Sequence, residues 1–302
     1  MYWEDMREEQ FPVALTDFSG LCVLPLSAME KKGEYLPVGA DGMIMDSIIR
    51  EALKIEDAVV FPTGSILGDT SAAYVNDENG ERKWRGAIQL SQDLQLSLLE
   101  DLCDEIGRNG FRKILIVYKA PMDSAFLGLF MRHMGYHRKP YATLMVSAVN
   151  YEISKPENVL KEIQSRPEEF PMITEEDIRT LEKWAQTGYG TKGGTVYVTY
   201  DKDVTFRDTA LVMAENEELV AQDRYEAESY EPTHATDKLR DALVSYVNME
   251  NMEYPNGCCG FPPHGCTKSI GQAYLKLNAE FMAGVFKLIK EDERCVVNDA
   301  RY

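Results

Sequence analysis

The sequence is poor in cysteine and histidine and has no long apolar run. Six cysteines and four histidines occur among 302 residues, and so few cysteines in a chain of this length argue against a disulfide framework. No apolar run approaches the roughly 20 residues that a membrane helix needs. The acidic start MYWEDMREEQ does not resemble a secretory signal. We therefore expect a cytoplasmic protein with no membrane partner.

Basic residues are scarce relative to acidic ones. The chain has 32 lysines and arginines against 50 aspartates and glutamates, which gives a formal net charge of −18. A field of that sign repels nucleic acid, so no nucleic-acid partner is expected. The hydrophobic fraction of 44% and the charged fraction of 27% are ordinary for a globular protein. A chain of this length can form one large domain or two modest ones.

The motifs of several enzyme classes are missing. There is no GxSxG elbow of a serine hydrolase, no Walker-type phosphate loop and no complete GxGxxG fingerprint. The adjacent Cys258 and Cys259 lack the spacing of zinc ligands, which favours a structural loop at NGCCGFPPHGC. His133 and His137 are four residues apart near a predicted helix end, where surface or capping roles are more common than a metal pair.

Short apolar runs alternate with helical patterns in the first 137 residues. The alternation predicts strands at 21–26, 58–62 and 113–118 and helices at 42–53, 94–106 and 125–134. It favours a mainly parallel sheet covered by helices on both faces. Ligands of such sheets bind beyond the carboxyl ends of the strands. Residues 27–32, 63–65 and 119–123 should therefore share one rim.

The later part of the chain has a different character. Residues 139–186 contain several prolines and a charged stretch, and we interpret them as a lid-like insertion within the domain. Thr174 and Asp177 form a plausible capping box for a helix that ends near residue 186. Asn79-Gly80 predicts a protruding hairpin. A strand is expected at 195–200 and a long closing helix at 271–291.

The loop after the first strand concentrates carboxylates. In EKKGEYLPVGAD, Glu30 and Asp41 stand close to a strand end, where their oxygens suit a hard or borderline cation. Solvated acids on a loop are the commoner interpretation of such a pattern when it stands alone.

Several segments resemble the creatininase (creatinine amidohydrolase) family. PLSAMEKKGEYLPVGADGMI is similar to the usual PVGSTEQHGPHLPLGTD, and NGFRKILIV is similar to HGFRRIVVV. Near the carboxyl end, GCCGFPPHGCTKSIGQAYL resembles GVYGDPRLATAEKGEKLL, while residues 139–186 have no counterpart. The resemblance implies a single three-layer αβα domain over residues 1–302 that forms homohexamers. It also implies two divalent metals whose activated water opens an amide bond.

Carried over residue by residue, the resemblance describes a degenerate member. Glu30 matches the first metal-binding glutamate and Asp41 the bridging aspartate. Lys32 replaces one histidine ligand and Ala120 replaces another, within Tyr118-Lys119-Ala120. Asp123 falls where the family has an asparagine, and we include it as a candidate metal ligand.

The candidate catalytic residues come from two further segments. DVTFRDT aligns with the family's HAGExET, which places Asp203 at the acid/base histidine and Asp208 at the glutamate. His264 belongs to the loop that borders the family's active site, so it is a candidate acid/base.

Two functional hypotheses follow. In the first, Glu30, Asp41 and Asp123, with Asp203 or Asp208, form an oxygen-rich site for zinc, manganese or magnesium, which hydrolyses the C–N bond of a small amide. In the second, Lys32 forms salt bridges that replace the metal charge, and the protein is a non-catalytic pseudoenzyme, a binding or scaffold protein. The direction of the Lys32 side chain distinguishes the two hypotheses.

Overall fold

The computed structural model describes residues 1–63, 86–88, 90–119, 123–186, 204–227, 233–235, 237–242, 258 and 262–292. The strands in these ranges are β1 (Leu21–Leu26), β2 (Val59–Val60), β3 (Lys113–Tyr118) and β4 (Ala142–Ser147). The helices are α1 (Phe11–Asp17), α2 (Ala40–Ala52), α3 (Gln92–Arg108), α4 (Asp123–Tyr136), α5 (Pro156–Ser165), α6 (Glu175–Gln186), α7 (Val204–Asn216), α8 (Asp237–Asp241) and α9 (Lys268–Glu291). None of these helices is both long enough and apolar enough to cross a membrane.

The strands form a parallel sheet in the order β2-β1-β3-β4. Successive side chains of a strand point to opposite faces, and both faces here are buried. Leu21 and Val23 of β1 belong to a core with α2, α7 and α9. Cys22 and Leu24 belong to a second core with α1, α3 and α4. The three-layer αβα architecture expected from the sequence is therefore present.

Most elements predicted within the described residues are confirmed, with small shifts of their ends. β3 has the predicted bounds, and α3 ends before Asn109 and Gly110, where Gly110 adopts a φ of +102°. That left-handed conformation suits glycine and stops a helix. The second strand is shorter than predicted. The hairpin at Asn79-Gly80 and the strand at 195–200 lie outside the described residues.

Residues 139–186 supply part of the central sheet. The sequence analysis did not identify β4, which lies in this segment and pairs in parallel with all six residues of β3. The side chains of β4 are mostly half-buried, so its hydrophobic pattern is weaker than that of β1 or β3. The segment then continues into α5 and α6, which join the core shared with α9. Its role as a lid stays a prediction.

The predicted capping box is present and also serves a second helix. Asp177 accepts hydrogen bonds from the backbone and hydroxyl of Thr174, both at 2.8 Å. The same carboxylate accepts from Thr267 at 2.6 Å and from Ser269 at 2.8 Å. Thr267 is the N-cap of α9. One buried carboxylate thus stabilises the starts of both α6 and α9.

A lysine stabilises the other end of α9. The buried Lys113 donates to the carbonyls of Ile289 at 2.7 Å and Lys290 at 3.0 Å. These carbonyls belong to the last turn of the helix, where backbone acceptors lack partners and the dipole attracts a cation. The interaction fixes α9 to the amino end of β3.

A close contact between α7 and α9 depends on a glycine. A Cβ atom on Gly271 of α9 would lie 1.8 Å from the carbonyl oxygen of Ala210 on α7. We expect Gly271→Ala to lower the free energy of unfolding by about 3 kcal/mol or more, because the backbones of two helices must separate. Urea unfolding would measure this loss. The matched control is Gly284→Ala in the same helix, where nothing lies within 4 Å. This change should stabilise the protein by up to about 1 kcal/mol, and equal effects of the two changes would contradict the packing argument.

Candidate functional site

The loop that follows β1 brings two acidic residues and a lysine to the carboxyl end of the sheet. The backbone amide of Glu30 donates to the carbonyl of Val38 at 3.0 Å, which closes the loop. Gly33 adopts a φ of +63°, a conformation that favours glycine in this tight path. The loop leads directly into α2, whose first turn contains Asp41. Asp41 is 1% exposed and therefore needs charged or hydrogen-bonding partners.

Two other elements contribute to the same place. Lys119 follows the last residue of β3, and only 3% of it is exposed. Helix α7 supplies Arg207 and Asp208, both of which are buried. Lys119 and Asp208 are 89 positions apart in sequence. The rim predicted from the parallel strands is thus the place where these charges converge.

The converging charges form a connected ionic network. Asp41 lies between two ammonium groups, with Oδ2 at 3.2 Å from Lys32 Nζ and Oδ1 at 3.1 Å from Lys119 Nζ. Lys32 also contacts Glu30 Oε1 at 2.7 Å. Lys119 also contacts Asp208 Oδ2 at 2.9 Å. Every distance is within the range of a direct ion pair.

Arg207 completes the charge balance of this network. Its Nε lies 3.4 Å from Oδ1 of Asp208. With this residue the network contains three carboxylates and three side-chain cations. A balanced set is the arrangement in which buried charges are tolerated, because each carboxylate has a cation within contact distance.

The contacts within the network keep Asp41 and Lys32 in their charged forms. Burial is the largest influence on the pKa of Asp41 and raises it, but Lys119 and Lys32 outweigh burial and hold the pKa well below its ordinary value of 3.8. Burial lowers the pKa of Lys32, but Asp41 and Glu30 together raise it well above its ordinary value of 10.5. Lys32 therefore keeps its proton near neutral pH and has no free electron pair with which to attack a carbonyl or bind a metal.

The comparisons with known proteins concern almost the whole chain. The profile of the creatininase family, described as creatinine amidohydrolase, matches residues 4–286. The chain belongs to the creatininase family. No curated protein shows significant similarity to it.

Solved structures of this family have the same fold at low sequence identity. A creatinine amidohydrolase (creatininase) is 13% identical over 96% of this chain and 98% of its own, with a TM-score of 0.63. A structure named creatininase Mn is 13% identical over 96% and 99%, also with a TM-score of 0.63. A candidate creatinine amidohydrolase from Bacteroides fragilis is 16% identical over 91% of both chains, with a TM-score of 0.59. These similarities establish the fold.

The residues of the ionic network do not fit the pair of divalent metals that the family resemblance implies. A metal would have to approach Asp41 where two ammonium groups already face its oxygens, and like charges repel. Both ammonium groups are within ion-pair distance of Asp41. The resemblance assigned Asp41 the role of a bridge between metals. In this chain it bridges two lysines instead.

The other predicted site residues are not among the described members of the ionic network. The described part of the structure does not include Ala120, Asp203 or the side chain of Asp123. His264 lies 3.3 Å from Glu226 and packs edge-on against the ring of Tyr225. No contact joins His264 to Glu30, Lys32, Asp41, Lys119 or Asp208 within the described part of the chain. The acid/base role predicted for His264 stays untested.

Two members of the ionic network, Lys119 and Arg207, were not predicted from the sequence. In the family comparison, Tyr118-Lys119-Ala120 indicates only the loss of a histidine and assigns no role to the lysine. The available signal was a lysine directly after the central strand, at the rim where ligands bind. No comparable pattern marked Arg207, since a charged residue inside a helix is usually on the surface.

Loss of Lys119 should destabilise the fold. Lys119→Met leaves Asp41 and Asp208 buried with one cation fewer, so we expect the free energy of unfolding to fall by about 3–5 kcal/mol. Urea unfolding monitored by circular dichroism would measure this. The control is Lys54→Met, which breaks the exposed pair of Lys54 with Glu51 and should cost less than about 1 kcal/mol. A cost for Lys119→Met no larger than that of the control would contradict the network.

Asp41 should contribute to stability in a defined pH range. Its folded-state pKa is lowered from 3.8, so its contribution is complete above the unfolded-state pKa and is lost as the pH falls below that value. The difference in unfolding free energy between wild type and Asp41→Asn should therefore be constant above about pH 5 and shrink in more acidic solution. Urea titrations at several pH values would measure it. A difference that already shrinks between neutral pH and about pH 5 would contradict this assignment.

Proposed function

We propose that this chain is a non-catalytic member of the creatininase family in which Lys32 and Lys119 replace the metal charge, and that it acts as a binding or scaffold protein. The observation that supports the proposal is the position of Asp41 between Lys32 and Lys119. The two lysines supply the positive charge that metals would otherwise bring to Glu30, Asp41 and Asp208. The sequence hypothesis of an active amidohydrolase required Lys32 to point away from this cluster.

The chemistry of the lysines also supports a non-catalytic role. Hydrolysis of an amide needs an activated water, which metal centres generate by lowering the pKa of a bound water molecule. An ammonium group donates hydrogen bonds but offers no coordination position, and each ammonium here already contacts two carboxylates. A neutral amine would be a nucleophile, but the raised pKa of Lys32 keeps this amine protonated.

The arrangement is better suited to a stable structure than to turnover. Each carboxylate is within direct contact of a cation, so a small anionic or polar ligand would have to displace an existing ion pair to enter. A partner or ligand would therefore bind at a surface around this network. The homohexamer implied by the resemblance stays a prediction as well.

The test begins with metal content. We expect protein purified without chelator to retain far less than one Mn²⁺ per chain after incubation with Mn²⁺ and desalting, and Asp41→Asn to behave in the same way. Manganese suits carboxylate ligands, so it tests this network directly. Near-stoichiometric Mn²⁺ that is lost in Asp41→Asn would overturn the proposal, and so would hydrolysis of a small cyclic amide that depends on Asp41.

The converse experiment removes both lysines and measures whether the variant gains metal binding. The double change Lys32→His and Lys119→Ala removes two cations and leaves three carboxylates with Arg207. We expect this variant to bind Mn²⁺ and to be stabilised by it against heat, because only the folded state holds the site. The control is Lys31→His, next to Lys32 but outside the network. Failure of Mn²⁺ to stabilise the double variant would contradict the idea that the lysines replace metal charge.

A further inference from the structure

A second cluster of metal-binding side chains lies away from the ionic network, between helices α3 and α4. Glu100 belongs to α3, His133 to α4, and His137 to the turn directly after α4. One ligand atom from each of these residues can be chosen so that all three lie within 4.8 Å of one another. The histidine rings are 4.8 Å apart, and His133 Nε2 is 2.8 Å from Glu100 Oε2. We define these three residues as the α3–α4 cluster.

The carboxylate of the cluster is held in place by a set of outer partners. Lys139 donates to Glu100 Oε1 at 2.8 Å, which leaves Oε2 directed toward His133. Lys139 is itself held by Asp104, with contacts of 2.8 and 2.9 Å. Tyr141 donates to Asp104 at 2.5 Å. Outer partners of this kind orient metal ligands and strengthen binding.

The charge of this neighbourhood favours a cation. Glu100 and Asp104 are each in contact with Lys139, so two negative charges are opposed by one positive charge. Neutral imidazoles add donor nitrogens without adding charge. The lysine neutralises Asp104 and one side of Glu100, while the other side of Glu100 still faces two histidines. A bound divalent ion would therefore not meet the balanced charges found around Asp41.

The donor set determines which metal fits. Two imidazole nitrogens and one carboxylate oxygen are a common set for zinc, which takes a water as its fourth ligand. Among divalent ions, such nitrogen-rich sites bind zinc more tightly than manganese. His137 is exposed and the His133 side chain is 38% exposed, so an ion and its water can enter from solvent.

We propose that Glu100, His133 and His137 form a zinc-binding site that joins α3 to the end of α4. Formation requires the His133–Glu100 hydrogen bond to open, so that both residues turn their ligand atoms toward a shared ion. The ion would connect elements on the face of the sheet that contains the second core. It would add stability by binding only the folded state.

The proposal can be tested by zinc titration of the full-length protein without a histidine tag. Isothermal calorimetry should detect one Zn²⁺ per chain, and His133→Ala and His137→Ala should each weaken binding by at least about tenfold. The matched control is His234→Ala, which removes an exposed histidine that also faces a carboxylate, Asp237. Its affinity for zinc should equal that of wild type.

Cobalt spectra separate this site from any site built on cysteines. Thiolate ligands give Co²⁺ an intense near-ultraviolet charge-transfer band that imidazole and carboxylate ligands do not give. We expect the spectrum of the wild-type Co²⁺ complex to lack this band. We expect His137→Ala not to form the complex. Since His137 is exposed, this variant should fold normally.

Either of two results would overturn the proposal: an absence of saturable zinc binding, or binding that is unchanged in both histidine variants. An absence of zinc binding would leave the ionic network unaffected. Conversely, zinc that is lost in Asp41→Asn but retained in His137→Ala would count against both the metal-independent network and the α3–α4 cluster.

Discussion

The organisation of this protein's functional rim depends on one buried carboxylate held between two ammonium groups. Asp41 is almost completely inaccessible to solvent, and a lone charge in such a place is unfavourable by several kcal/mol. Lys32 and Lys119 offset that cost, and each then brings a further carboxylate into the network. Four parts of the chain are consequently held together: the β1 loop, the start of α2, the end of β3 and α7.

The parallel sheet explains why these parts meet. Parallel strands place all of their carboxyl ends at one edge, and β1 and β3 are hydrogen-bonded neighbours along six residues. A loop that leaves β1 and a lysine that follows β3 therefore start side by side. Helices on both faces bury the rest of the strands. At the opposite edge, Lys113 fixes the end of α9. Asp177 fixes the other end of that helix together with the beginning of α6.

Membership in the creatininase family and the chemistry of the rim are separate properties of this chain. The fold follows from the hydrophobic pattern of strands and helices, which is retained despite low identity to the solved creatininases. The chemistry depends on a few side chains at the rim, where Lys32 and Lys119 contact the carboxylates of this chain. A fold can host several functions for this reason, so the rim residues carry more weight for function than the overall similarity does.

The sequence by itself determined the features that depend on neighbours along the chain. Strand β3, the capping box of Thr174 and Asp177 and the position of Glu30 and Asp41 close to a strand end all follow from local spacing and residue type. The tertiary structure alone decided which charges meet. Lys119 and Asp208 are far apart in sequence, Arg207 has no local signal, and β4 becomes a strand through its pairing with β3. A buried charge selects its partner by distance in space, and that distance is set only when the sheet and its helices have packed.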